Sequence, residues 1–441
     1  MTPAEEKAGI RLFKITSGLG SSRPRIRWWW IGTAFALLLA GAVPILGRVG
    51  IGLDPDRVWE RGQASYQSNR LDAAEGAVNA LAKLRRATVK DSILRAEVDM
   101  ARGRIDPALA ALAMVPDSHR EAPQARFLSG KLEFRRDRAR EAEAHWKRAV
   151  KLDPTRIDSR RSLSYLYALQ LRKREFNEQF QEIAARQPVT FAHAFFWSQI
   201  NCGIYDPLEA SIKLRRFLDA DPEDRQSRFA LFEVCLKLEK VEDSQRLLAN
   251  LPDCNGDVLA GRARVALLKG DAAKLASLLA GAKDDKPEIA RISGRLALLN
   301  GDGDAAIHAF RNALAADPDD SDTLQGLAKA LRLVGDDAGA GIYLEKVRVR
   351  SQLWELVQRA SQGNAPANLG LLRSLGKACE AANRPAEARA WYSLVIASDP
   401  LDSEAQQSLF RLSTPKQSLI RIRPAAYQVN HDPTTEGPID G

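Results

Sequence analysis

Residues 123–156 read PQARFLSGKLEFRRDRAREAEAHWKRAVKLDPTR, and the rest of the chain is measured against them. The segment closes on Asp153-Pro154. Gln187-Pro188 and Asp221-Pro222 follow, at two equal steps along the chain. Proline stops a helix because it lacks an N–H and its ring clashes with the preceding turn. A 34-residue unit with such a stop has room for two helices and a turn, and its repetition predicts a solenoid of helical hairpins. Within the unit Gly130 and Ala142 are small, Trp146 is bulky and Ala149 is small again. Residues 287–320 repeat that plan with Gly294, Ala306, Phe310, Ala313 and Pro318, and residues 369–402 with Gly376, Ala388, Tyr392 and Pro400.

This pattern resembles the tetratricopeptide-repeat family, whose small residues let the two helices of a hairpin approach and whose aromatic fills the gap against the next hairpin. The resemblance implies an all-α, right-handed α-solenoid of about ten hairpins. Weaker copies occupy 55–88, 89–122, 157–190, 191–224 and 225–258; the phase slips between 256 and 286, and 321–354 fits again through Ala328, Gly335, Ala340 and Leu344. The main array is expected over 55–354. Residues 355–368 (ELVQRASQGNAPAN) fall out of register and carry turn chemistry, so a loop or break is expected there. Residues 369–412 then form a last hairpin and a capping helix that starts near Ser403, and 413–441 read as a disordered tail.

Trp28 to Gly47, WWWIGTAFALLLAGAVPILG, carries no charge. At 1.5 Å per residue such a run spans about 30 Å, the thickness of a bilayer's hydrocarbon core. The three tryptophans suit the membrane interface. Lys7, Arg11, Lys14, Arg23, Arg25 and Arg27 precede the run, against only Arg48, Arg57 and Arg61 just after it. The bias predicts a short cytoplasmic leader (residues 1–27), a signal anchor and an extracytoplasmic, periplasmic array. Cleavage near Ala42 is the alternative, because Ala40-Gly41-Ala42 has the small-x-small form of a processing site and would release the array as a secreted protein.

The chain has 441 residues and a net charge of +9, mild for this length and no mark of a nucleic-acid binder. Nucleic acid is further disfavoured because aromatics do not alternate with the basic residues as stacking platforms would. Cys202, Cys235, Cys254 and Cys379 lie far apart without metal or redox spacing. Cys235 and Cys379 fall on the inward side of first helices, where free structural thiols are expected; a Cys235–Cys254 disulfide is the alternative in an oxidising compartment. Phosphate loops, nucleotide folds and hydrolase motifs are absent and the five histidines are scattered, so no catalytic residue, metal site or cofactor is expected.

In the family the concave groove is lined by positions 2, 5, 9, 12 and 13 of each first helix. The resemblance places Lys131, Arg135, Arg161, Tyr165, Arg291, Arg295, Lys329, Arg332, Arg373 and Lys377 there. These residues imply a basic groove for a protein or an extended acidic peptide. The Lys-and-Asn pair with which some family members clamp a terminal carboxylate occurs in no repeat. The function this implies is a membrane-anchored scaffold for protein–protein contacts in envelope assembly or secretion. The alternatives are a binder of anionic polysaccharide serving an export machine and, third, an unrecognised enzyme. Ordinary solvated charge would give the same basic stripe.

Overall fold

A computed structural model describes residues 54–251, 256–280 and 286–413. The expected membrane segment, the tail from residue 414 and Cys254 lie outside the described residues, and among those described no helix is long and apolar enough to cross a membrane.

The described chain is helical throughout and forms ten successive pairs. The first four are α1 Pro55–Gln67 with α2 Leu71–Leu84, α3 Val89–Ala101 with α4 Ile105–Ala113, α5 Ala122–Arg135 with α6 Ala139–Leu152, and α7 Ile157–Leu169 with α8 Lys173–Ala184. The middle pairs are α9 Phe191–Asn201 with α10 Pro207–Ala220, α11 Arg225–Lys237 with α12 Val241–Leu248, and α13 Gly256–Leu268 with α14 Ala272–Ala280. The last are α15 Pro287–Leu299 with α16 Gly303–Ala316, α17 Ser321–Leu333 with α18 Asp337–Arg359, and α19 Leu369–Ala381 with α20 Pro385–Ser398, capped by α21 Ser403–Ser413. The last helix starts at Ser403, as the sequence predicts, and Asp402 accepts the Ala405 N–H at 2.9 Å and so caps it.

One turn design joins every pair. A residue with positive φ follows each first helix: Asn69, Gly103, Asp137, Leu171, Gly203, Glu239, Gly270, Gly301, Gly335 and Asn383. The next residue's N–H reaches back to the carbonyl five positions earlier, as Arg138 does to Glu133 at 2.9 Å and Asp302 to Ala297 at 2.9 Å. This left-handed C-cap satisfies a helix-end carbonyl that would otherwise lack a donor.

The small-to-aromatic spacing has a packing cause. A Cβ on Gly130 would stand 2.4 Å from the Trp146 indole, one on Gly294 2.9 Å from Phe310, and one on Gly376 2.6 Å from Tyr392. The step from glycine to aromatic is the same in all three hairpins, and it places both residues at one level of the pair. Phe310 also fills the space over Gly326 of the following pair, where a Cβ would come to 2.5 Å. Cys235 and Cys379 are buried free thiols, as expected.

Two departures from the expected order shape the molecule. First, α18 runs 23 residues to Arg359, so the break expected over 355–368 starts later, and only a short turn with the 3-10 segment Ala365–Ala367 separates α18 from α19. The helix continues because Leu353, Leu356, Val357 and Ala360 keep an apolar stripe at helical spacing, and all four are buried. They pack in one core with Leu371, Leu372 and Leu375 of α19, so the last hairpin is joined to the array and not set apart from it.

Second, the fifth pair is open. Elsewhere the second helix begins two residues after the positive-φ residue; here Gly203 precedes Pro207 by four. Pro207 keeps its place one full period after Lys173, so it is the turn that has come early, leaving α9 with 11 residues where α7 and α11 have 13. Two residues are about 200° of helical rotation, so the chain leaves α9 from its opposite side. α9 and α10 alone among the ten pairs do not lie side by side. α10 instead packs on the earlier repeats: Phe217 meets Phe134 at 5.6 Å, Lys213 reaches Asp137 at 2.5 Å, and Arg140 pairs with Asp221 at the end of α10.

The face of α9 left bare is covered by α20, from the far end of the array. Phe191 meets Trp391 edge-on at 5.8 Å, and the Trp391 indole N–H donates to Ser198 at 3.0 Å. Ser198 donates to Glu387 at 3.1 Å, Asn201 donates to its other oxygen at 2.5 Å, and Arg384 donates to the Asn201 carbonyl at 3.2 Å. One buried core therefore runs from Ala139 to Cys235 and resumes at Leu353 to Ala405, while residues between have cores of their own. The solenoid closes on itself.

Candidate functional site

The expected groove residues divide between early and late repeats. In the early repeats Lys131 lies over the Phe127 ring at 5.6 Å, Arg135 is exposed, and Arg161 donates to Gln187 at 3.0 Å. Tyr165 is half-buried, edge-on to Phe134 at 5.9 Å, and burial pushes its phenol pKa up, with Glu209 of α10 adding to the shift. Helix α10 thus fills the groove at Phe134 and Tyr165, and Tyr165 is not the open contact the sequence predicts.

In the late repeats most of the cations have internal partners. Arg291 pairs with Glu288 at 2.5 Å and with Asp322 at 3.6 Å; Arg295 reaches Asp322 at 3.0 Å. Arg373 lies 3.5 Å from Asp402, and Lys377 is 2.5 Å from Glu404. The pattern is that a base at position 5 or 9 meets an acid at the start of the next repeat. Lys329 is exposed with no ion pair among the described residues, and exposed Arg332 stands 3.9 Å from Asp337. The structure thus brings Arg291, Arg295, Arg373 and Lys377 to acids of the neighbouring helix, and leaves Lys329 and Arg332 as the most open of the late positive charges.

Reading charge alone misses the apolar residue at position 13. Leu268, Leu299 and Leu333 occupy it in three consecutive repeats, each two residues before the turn glycine, and are 55%, 74% and 51% exposed. Val334 adds to this edge at 45%. A single exposed leucine needs no explanation, but three in register make a ridge that water covers at a cost. The signal lay in the sequence as Leu at a fixed distance before Gly270, Gly301 and Gly335.

A cavity of about 1300 Å³ opens where the solenoid closes. Its walls come from the start of α8, the end of α9, the end of α11, the α16–α17 turn, α18 and the α19–α20 turn. Trp354, 45% exposed, lines it. Lys173 and Lys237 have exposed side chains at the cavity; desolvation by the surrounding walls lowers the Lys173 pKa, with Arg384 reinforcing the shift, and lowers that of Lys237, with Lys173 adding to it. Glu387 is raised by burial, against the pull of Arg384.

Comparison with known proteins agrees with the repeat register. A family model described as tetratricopeptide repeat matches residues 93–157, 293–352 and 355–403. The chain is a tetratricopeptide-repeat protein. No curated protein sequence matches it. Among solved structures it is similar to a tetratricopeptide repeat protein from Parabacteroides merdae, at 12% identity over 55% of this chain and 98% of that one, with a TM-score of 0.30. It is also similar to the C-terminal part of a repeat protein from Cytophaga hutchinsonii, at 14% identity over 61% of this chain and 99% of that one, with a TM-score of 0.30. The Rap protein, solved with competence and sporulation factor, aligns at 10% identity over 69% of this chain and 99% of that one, with a TM-score of 0.32. The assignment to the tetratricopeptide repeats stands on the register and the family match. As a repeat scaffold the chain is suited to protein–protein interaction.

Proposed function

We propose that this tetratricopeptide-repeat protein is a membrane-tethered scaffold that holds a protein partner along the edge of α13, α15 and α17. The observation that carries the reading is the leucine ridge of Leu268, Leu299 and Leu333 beside cations already matched by acids. A partner with an apolar helix face gains from covering that ridge, while matched cations offer a polyanion little. The apolar run at residues 28–47 and the basic leader before it support a tether with the array on the extracytoplasmic side. Assembly of the envelope or secretion is the setting such a tethered, outward-facing scaffold would serve.

The test is cross-linking from residue 299 of the full chain in native membranes. Replacing Leu268 and Leu333 together by Asp should abolish the protein adduct, while the double variant Lys329→Glu, Arg332→Glu, at the two most open cations, should keep it. The opposite pattern, with the adduct lost from the charge variant alone, would return the groove to an acidic peptide. An anionic-polysaccharide binder would instead bind in proportion to low salt and be indifferent to the leucines.

A further inference from the structure

We infer that the cavity at the closure is a binding site for a small multivalent anion, a phosphate or a polycarboxylate, held by Lys173, Lys237 and Arg384. The inference is independent of the leucine ridge and either can fail alone. It begins from an imbalance between the two sides of the cavity. The acids on the α16–α17 turn are already engaged: Asp317 accepts the Asp319 N–H at 3.0 Å, Asp320 accepts the Thr323 N–H at 3.2 Å, Asp322 holds Arg295, and Asp319 holds Arg350. Glu355 of α18 also lines the cavity, and the cations opposite keep donors free. Lys173, first residue of α8, lines the cavity with no side-chain hydrogen bond or ion pair among the described residues. An ammonium has three donors, and Lys237 uses one, to the Gly203 carbonyl at 3.0 Å, while resting over the Tyr205 ring at 4.0 Å.

Arg384 is fixed in place by the closure itself. It donates to the Asn201 carbonyl at 3.2 Å and to the Cys202 sulfur at 3.8 Å, and its nearest carboxylate, Glu387 at 3.9 Å, is already committed to Ser198 and Asn201. Three cations from three distant parts of the chain thus face one space. Beyond desolvation, Arg384 lowers the proton affinity of Lys173 and Lys173 lowers that of Lys237, while Asp317 and Asp320 pull Lys173 the other way. An anion entering there removes that repulsion and supplies acceptors to the free N–H groups. The cavity is far larger than one phosphate, and the anionic group is carried on a bigger molecule with room to meet the exposed face of Trp354.

Calorimetric titration of the full chain at fixed ionic strength tests this, with inorganic phosphate in one arm and citrate in the other. Saturable binding in either arm is expected, and the arm that binds names the source of the anion. Lys173→Met should weaken it by about tenfold, the worth of one charge-assisted contact. Lys173→Arg should restore most of it, and Arg348→Gln, outside the cavity lining and paired with Glu345, should leave it unchanged. Should Lys173→Met disturb folding, Lys237→Met supplies the same reading. Failure to saturate in both arms, or equal binding by wild type and both lysine variants, overturns the inference.

Discussion

The pairs α15–α16 and α9–α10 obey the same repeat register and come to opposite ends. In the first, Gly294 and Phe310 meet, Phe310 fills the hollow of the next pair as well, and the array simply continues. In the second, Ser198 stands at the glycine position, the turn arrives two residues early, and α10 leaves α9 to pack on α11 and, through Phe217, Lys213 and Asp221, on the older repeats. A periodic sequence therefore sets where helices lie along the chain, but the turn decides which helices meet. The open pair trades a neighbour of its own for α20, and the cavity exists only because of that exchange.

The sharpest break of this comparison is to remove the aromatic in each region. Trp391→Ala and Phe310→Ala each empty a fully buried site, and each should cost about 3–5 kcal/mol in chemical denaturation. The two should differ in kind: Trp391→Ala should free the last hairpin and raise amide exchange in both α20 and α9, whereas Phe310→Ala should loosen only α15 to α17. Trp146→Ala belongs with Phe310, and a loss below about 1 kcal/mol would overturn the Gly130–Trp146 pairing.

Next in size is a substitution that should favour neither region's chemistry but only its space. Gly326→Ala drives a Cβ against Phe310 and should destabilise by about 1–3 kcal/mol, while Gly76→Ala, which faces open space within a helix, should stabilise by about 0.5–1 kcal/mol. Denaturation of the two variants side by side checks the packing argument without touching the closure.

A third measurement isolates the closure through pH. Burial holds the Glu387 pKa above its ordinary value. The folded state therefore keeps a proton that the unfolded chain releases, so this group's stabilising contribution is full below the ordinary carboxylate range and is lost as pH rises through the raised value. Relative to wild type, Glu387→Gln should be at its worst in acid and improve as pH rises towards neutrality, in melts recorded across that range. A difference independent of pH would place Glu387 in a more solvated setting than the seam between α9 and α20. The smallest expected effect is at a turn: Glu239, exposed and at φ 59°, should gain about 0.5–1 kcal/mol on replacement by Gly.

The repeat was legible because its determinants are local: a glycine and an aromatic at constant spacing, a stop at the end, and apolar residues at helical intervals. Half of the turns were also legible through glycine, but Asp137, Leu171 and Glu239 adopt the same conformation without announcing it. The basic stripe is complete in the sequence as residues and incomplete as chemistry. Arg295 and Asp322 lie in adjacent repeats, as do Lys377 and Glu404, so their pairing emerges only when the period is applied to acids as well as bases. The closure was out of reach. Trp391 sits beside Tyr392, which already fills the aromatic position of its own hairpin, and nothing in the local pattern points it at Ser198. The early turn at Gly203 was the one local trace, because the step from Leu171 falls short of the period.

The most direct test of that closure is a double-mutant cycle between Phe191 and Trp391. Contact between the rings predicts that the double Ala variant is more stable than the sum of the single losses implies, by about 0.5–1.5 kcal/mol of coupling. The same cycle between Phe310 and Trp391, which lie in separate cores, should add within about 0.3–0.5 kcal/mol. Coupling indistinguishable from zero for Phe191 and Trp391 would contradict the account: α20 would not cover α9, the array would be open, and the cavity would have no far wall.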